Sequence, residues 1–157
     1  MKKHIISLWV KNKHGVLSRV SGMFNRRAYN IDSFSSGKIN DDDIYRMTII
    51  LSGEDGTIDL IKKQLNKLVD VEKVVELDSE HSSLRELVLV KLNWNAEDKE
   101  KIKEIADTFG ARTIKEDDDT VTYEYTGGPE KVNAFLHILR PYEMVAANRS
   151  GAVAIIE

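Results

Sequence analysis

The sequence predicts an α+β chain built from two tandem βαββαβ units. Three observations carry this. Apolar residues switch between a period of two and a helical period in the same order twice, and polar turn clusters punctuate the switches. A polar stretch without periodicity, "DSEHSS" at 78–83, lies between the two runs. A length of 157 residues admits one ordinary domain or two small ones, and 41% hydrophobic with 31% charged residues marks a globular chain.

Residues 4–10, "HIISLWV", alternate Ile6, Leu8 and Val10 against Ile5, Ser7 and Trp9, as a strand does. From Val16 to about Arg27 the apolar set Val16, Leu17, Val20, Met23 and Phe24 falls at helical spacing, which gives a helix with one buried stripe. Gly22 inside it costs roughly 1 kcal/mol against Ala, which implies close passage of another backbone, from the second helix or a partner subunit. "YNIDSFSSGKI" (29–39) reads as the second strand and "NDDD" (40–43) as a turn. "IYRMTIILS" (44–52) is the third strand, with Tyr45, Met47, Ile49 and Leu51 alternating, and closes a hairpin. After the turn at 53–56, Ile58, Ile61, Leu65 and Leu68 mark a second helix, and "VEKVVEL" (71–77) supplies the fourth strand. The pattern then restarts with a strand at 84–92, a helix at 96–109 and a hairpin from 111–116 and 120–126. A helix at 129–140, opened by Pro129, and a closing strand region at 143–156 complete it. The recurrence is architectural, without residue-by-residue identity between the halves. Each unit matches the split-βαβ, ferredoxin-like arrangement of two helices on one face of an antiparallel sheet. The expected boundaries are 1–78 and 84–157, with 79–83 as linker.

A net charge of -3 argues against bulk attraction to nucleic acid, and Arg26-Arg27 read as partners of a helix dipole. The longest apolar runs, such as "MTIIL" (47–51), are far too short to span a membrane, and "MKKHIISLWV" reads as a first strand rather than a signal peptide. The absence of cysteine excludes disulfides and thiolate chemistry and points to a cytoplasmic location. The histidines, at 4, 14, 81 and 137, lack helical metal-site spacing, so no metal is expected. The two "DDD" runs, 41–43 and 117–119, read as solvated hairpin turns. "TGGPEKV" (126–132) lacks the Lys-Ser/Thr of a phosphate loop and reads as an ordinary turn. No serine sits in a nucleophile elbow. The absence of catalytic pairs points to binding, and no catalytic residue is expected.

"KNKHGVLSRV" (11–20) carries the main functional signal, because the helix starts directly after Gly15, without a Ser, Thr, Asp or Asn cap. Water, an Asx turn from Asn12, or a small carboxylate or phosphate ligand can each satisfy the exposed amides, and the stretch alone leaves all three open.

"NKHGVLSRVSGMFNRRAYNIDSF" (12–34), "YRMTIIL" (45–51) and "QLNKLVDVEKVVEL" (64–77) closely resemble the N-terminal ACT domain of acetohydroxyacid (acetolactate) synthase regulatory small subunits. "RELVLVKL" (85–92) and "NRSGAVAI" (148–155) resemble that family's C-terminal domain, so the likeness covers essentially the whole chain. Ala28 stands where the family usually has Gly, "SFSSGKI" (33–39) is more polar than its usual strand, and Tyr45 stands where Ser is common. The resemblance implies a non-catalytic subunit that activates the catalytic large subunit and confers feedback inhibition by a branched-chain amino acid, usually valine. Thiamine diphosphate, Mg and FAD are expected in that catalytic partner and no cofactor in this chain. It further implies an ACT-domain homodimer with the amino acid between two chains. Asn12, Lys13, His14, Gly15, Val16 and Leu17 would come from one chain, and Asn30 and Ile31 from the other. In that arrangement the amides after Gly15 receive the effector carboxylate, and Asn12 and Asn30 orient its polar groups. The alternatives are another ACT-domain amino-acid sensor, or a small acylphosphatase-like hydrolase using Asn12 and Arg19.

Overall fold

Alternation in the first strand decides the layering of the first unit. The computed structural model describes residues 2–25, 29–40 and 43–156. In it β1 (Lys2–Lys11), α1 (Val16–Asn25), β2 (Ile31–Lys38), β3 (Ile44–Gly53), α2 (Asp55–Leu65) and β4 (Val71–Leu77) follow one another as βαββαβ. The strands form an antiparallel sheet in the order β2-β3-β1-β4. Ile6, Leu8 and Val10 leave one face of β1 and meet Val16, Val20, Met23 and Phe24 of α1 and Ile58, Ile61 and Leu65 of α2. Met47, Ile49 and Leu51 of β3 complete this core, so both helices lie on the same face. Fully burying such a side chain contributes about 1.5–3 kcal/mol.

The second unit repeats the plan with β5 (Ser82–Asn93), α3 (Lys99–Phe109), β6 (Arg112–Glu116), β7 (Thr120–Gly127), α4 (Pro129–Leu139) and β8 (Met144–Arg149). Its sheet runs β6-β7-β5-β8. Val88, Val90 and Leu92 of β5 pack with Ile102, Ala106, Val132, Phe135 and Leu139 of the helices. α3 stops at Gly110, which takes φ 71°, and α4 opens with Pro129 in its first turn. The second acidic run makes a turn with a structural task, because the Trp94 indole N–H donates to the carbonyls of Asp117 and Asp118 at 3.3 and 3.2 Å.

The two motifs of this half that carried the family resemblance meet in one ion pair. Arg149 donates from Nε and Nη2 to the two carboxylate oxygens of buried Glu86, at 2.7 and 2.8 Å, and from Nη1 to Asn133 at 2.8 Å. Leu87 and Ser150 are joined beside it, Ser150 N–H donating to the Leu87 carbonyl and Leu87 N–H to Ser150 Oγ.

Several local expectations change. The segment read as a linker holds a short 3-10 turn at Ser79–His81, capped by the Asp78 carboxylate, and β5 has begun by Ser82. The closing strand region is broken at Gly151, which takes φ 77°, into β8 and β9 (Val153–Ile156). By its contacts the chain from Ala152 onward groups with the first unit, not the second. The polar character of β2 supplies a reason: Ser35 Oγ donates to the Ala152 carbonyl at 2.6 Å, and Ala152 N–H donates to Ser33 Oγ at 2.9 Å. A side chain at Gly22 would meet nothing within 4 Å, so the close passage expected there does not come from the chain's own second helix. The Arg26-Arg27 pair, Ala28, and Asp41 and Asp42 of the first acidic run lie outside the described residues.

A polar cluster closes the other end of the first sheet. His4, buried on β1, has Nδ1 at 2.8 Å from Glu76 Oε1, while Lys62 Nζ donates to Glu76 Oε2 at 2.6 Å. Burial acts to raise the Glu76 pKa, but hydrogen bonds from Lys62 and His4 outweigh it and hold the group below its ordinary 4.5. A carboxylate depressed in the folded state stabilises above its unfolded pKa and loses that contribution as pH falls through the folded one. Thermal stability is therefore expected to drop on acidification below 4.5, and Glu76→Gln to flatten that limb. An acid limb in thermal melts that is identical in the variant removes Glu76 as its source.

Candidate functional site

The β1–α1 turn is built mainly from main-chain groups. Lys11 N–H donates to the Asp70 carbonyl at 2.9 Å, and Asn12 N–H to the Asp43 carbonyl at 2.7 Å, which fixes the exit from β1 between two neighbouring turns. Lys13 N–H donates to the Lys11 carbonyl and Val16 N–H to the Lys13 carbonyl, so the chain curls back before the helix. Gly15 takes φ 80°, a conformation that favours glycine. The first amides of any helix lack intrahelical acceptors. Here, among the described residues, those of Leu17 and Ser18 meet no acceptor in the chain, and no hydrogen bond from the Asn12 side chain closes onto the turn. The Asx-turn alternative is therefore absent from this conformation.

Side chains divide the predicted residues further. Asn12, Lys13 and His14 are exposed, Gly15 is half-buried and Leu17 is exposed. Val16 points into the core and its amide is used by Lys13, so only Leu17 offers an apolar side chain at the turn itself. Asn30 is exposed, and Ile31, half-buried, packs against the core at the start of β2.

The strand register separates these two groups. Ile31 pairs with Leu51 and Leu51 with His4, so the start of β2 is level with the beginning of β1. Lys38 pairs with Tyr45 and Tyr45 with Val10, so the end of β2 is level with the turn. At about 3.3 Å per residue, roughly 23 Å separates the levels of His4 and Lys11. One chain therefore brings Asn12–Leu17 together but leaves Asn30 and Ile31 at the opposite end of its sheet.

Two residues outside the predicted effector-binding set adjoin the turn, Asp70 and Arg19, the latter named from sequence only for the hydrolase alternative. Arg19 Nη2 donates to Asp70 Oδ2, and Lys13 Nζ lies 3.7 Å from Asp70 Oδ1. A Cβ at Gly15 would stand 3.3 Å from Arg19 Nη1, so that guanidinium lies beside the corner. Among the described residues no group of three or more His, Cys, Asp or Glu is placed to hold a metal, and no helix is long and apolar enough to cross a membrane.

Comparison with known proteins covers both units. A family profile described as an AHAS small subunit-like ACT domain matches residues 6–73, and one described as the small subunit of acetolactate synthase matches residues 85–157. The acetolactate synthase small subunit of Mycolicibacterium smegmatis is 41% identical over 152 residues, 97% of this chain and 89% of that protein. That of Mycobacterium bovis is 40% identical over 154 residues, 98% of this chain and 92% of that protein. The crystal structure of the acetolactate synthase small subunit from Thermotoga maritima superposes with a TM-score of 0.93 at 34% identity, over 100% of this chain and 98% of that one.

Proposed function

Because the chain belongs to the family of acetolactate synthase small subunits, we propose that it activates a catalytic large subunit and makes that enzyme sensitive to a branched-chain amino acid, valine or a relative. The chain itself contributes no catalytic group. Thiamine diphosphate, Mg and FAD belong, in this reading, to the catalytic partner, and both subunits work in the cytoplasm.

The separation of Asn30 and Ile31 from the β1–α1 turn supports the regulatory part of this reading most directly. β2 is an edge strand of its sheet. Two copies pairing antiparallel through β2 set the start of one strand beside the end of the other, which is level with the other chain's turn. A two-fold, isologous dimer of this kind joins each turn to the partner's Asn30 and Ile31 and creates two equivalent sites. The effector carboxylate then takes the amides of Leu17 and Ser18 at the positive end of α1, its side chain lies between Leu17 and Ile31, and Asn12 and Asn30 reach its polar groups.

An amino acid that spans two chains inhibits only by binding the inhibited arrangement of the holoenzyme more tightly than the active one. Strong inhibition at saturation corresponds to a coupling of about 1–3 kcal/mol.

Complementation between chains tests this assembly. Gly15→Asp and Asn30→Ala homodimers are both expected to lose calorimetric binding of valine, leucine and isoleucine. A mixed dimer of the two variants regains one intact site, made from the unaltered turn of one chain and the unaltered Asn30 of the other. Recovery of binding on mixing supports the shared site, and a mixture as inert as its components overturns it. Reconstitution with the large subunit tests the remainder, since a chain that fails to raise acetolactate formation is not an activating subunit.

A further inference from the structure

Asp70 sits in the turn between α2 and β4, with its side chain only 12% exposed. Three parts of the candidate site converge on this residue. Its carbonyl accepts the N–H of Lys11 where β1 ends, its Oδ2 accepts Arg19 Nη2 from α1, and its Oδ1 faces Lys13 Nζ at 3.7 Å. Arg19 in turn lies beside Gly15, its Nη1 3.3 Å from the space a Cβ would take. One residue thus braces the entry to the turn through its carbonyl, and the turn's middle and corner through its carboxylate. The proposed effector contacts, by contrast, are main-chain amides and asparagines that use neither Arg19 nor Asp70.

A binding site made of main-chain amides can be aimed only by whatever holds the main chain. If the turn were free to move, ordering it would oppose binding each time an effector arrived. From the three-point contact we infer that Asp70, acting through Arg19, is the positioning pair of the amino-acid turn. It fixes the Gly15 corner so that the Leu17 and Ser18 amides converge on one carboxylate. This rests on the reading of the turn as an effector site.

Charge and position predict opposite signs at Asp70. Asp70→Asn keeps the shape of the side chain and the main-chain bond to Lys11 but removes the negative charge. If Asp70 acted on the effector only through its field, the variant would leave Lys13 and Arg19 less neutralised and would bind a carboxylate ligand more tightly. If Asp70 positions the turn, affinity falls, by about tenfold, the size of one weakened charge-assisted hydrogen bond. Arg19→Lys keeps the positive charge while losing the planar fork, and is expected to weaken binding in the same direction.

The measurement is calorimetric titration of the full-length dimer with valine, leucine and isoleucine, for the wild type and both variants, with thermal melts as the control for folding. Weaker binding by the folded dimer, measured below the melting transition, supports the inference even where the melt moves, since a purely structural role would lower the melt and spare the affinity of the folded fraction. Equal or tighter binding by Asp70→Asn overturns it. Should Asp70→Asn not fold, Arg19→Lys decides alone, and an unchanged affinity there overturns the inference as well. A wild-type dimer that binds none of the three removes the effector reading and this inference with it. Wild-type binding with unaltered affinity in the variants removes this inference only.

Discussion

Gly15→Asp is expected to abolish feedback inhibition in the reconstituted holoenzyme while leaving activation largely intact. The fold should tolerate the change. A non-glycine residue in the left-handed region costs roughly 1–2 kcal/mol, and Asp is among the residues that visit it most readily. Gly15, at φ 80°, directly precedes the first helical residue, where a carboxylate can accept the amides of the second or third helical position. Those positions are Leu17 and Ser18, whose amides are assigned to the effector. The introduced side chain would also start 3.3 Å from Arg19 Nη1. It therefore occupies the carboxylate position from within, and its charge repels the free amino acid's own carboxylate.

Gly15→Ala separates the two contributions. It adds the backbone strain and crowds Arg19 but brings no charge, so it should weaken inhibition rather than eliminate it. The measurement is acetolactate formation against amino-acid concentration for the wild type and both variants. Retained inhibition in Gly15→Asp means the carboxylate is received elsewhere. Loss of activation by a folded Gly15→Asp chain means activation and feedback share the turn.

Both βαββαβ units were legible because an element that turns one face to the core between sheet and helices leaves a period in the sequence. Ile6, Leu8 and Val10 alternate since β1 has one face on the helices, and Val16, Val20, Met23 and Phe24 fall on one stripe since α1 buries one side. The return of the chain at Ala152 left no such trace. It depends on the hydroxyls of Ser33 and Ser35 meeting one main-chain unit 117 to 119 residues away, and polar side chains in a strand resemble solvated ones in sequence.

The site divides in the same way. Gly15 was visible as a helix start without a cap, and its left-handed conformation agrees with that reading. The resemblance placed Asn30 and Ile31 on a second chain, and the strand register adds the physical ground, their distance from the turn within one chain, which only pairing reveals. Asp70 was missed, and Arg19 was named only for the hydrolase alternative, because each looks unremarkable alone, an acid in a turn and a cation on an exposed helix position. Their meaning lies in the contact they make across 51 residues.

The neighbouring glycines of "TGGPEKV" make a second strong test, because they face very different surroundings. A Cβ built on Gly127 would lie 2.6 Å from Tyr125 Oη, 2.9 Å from its Cζ and 3.1 Å from its Cε1. That ring is confined, since Tyr125 is 6% exposed and its centroid lies 5.7 Å from Phe109 and 5.0 Å from Phe135. Gly127→Ala therefore forces the ring into a packed aromatic cluster, at about 1–3 kcal/mol for overpacking. At 4–8 °C per kcal/mol for a unit of this size, the second unit should melt about 10 °C lower. Gly128, whose added Cβ would come no nearer than 3.9 Å to the Leu84 carbonyl, is the N-cap residue directly before α4, at φ -63°. Gly128→Ala should consequently lose well under 1 kcal/mol, mainly as a poorer helix cap. Trp9 and Trp94 lie in different units, so in a Trp9→Phe background Trp94 fluorescence follows the second unit alone. If crowding of the ring is the cause, adding Tyr125→Phe to Gly127→Ala removes the nearest contact and recovers part of the loss. Equal melting of the Gly127 and Gly128 variants would instead mean that the ring yields freely, and that Gly127 serves no packing role.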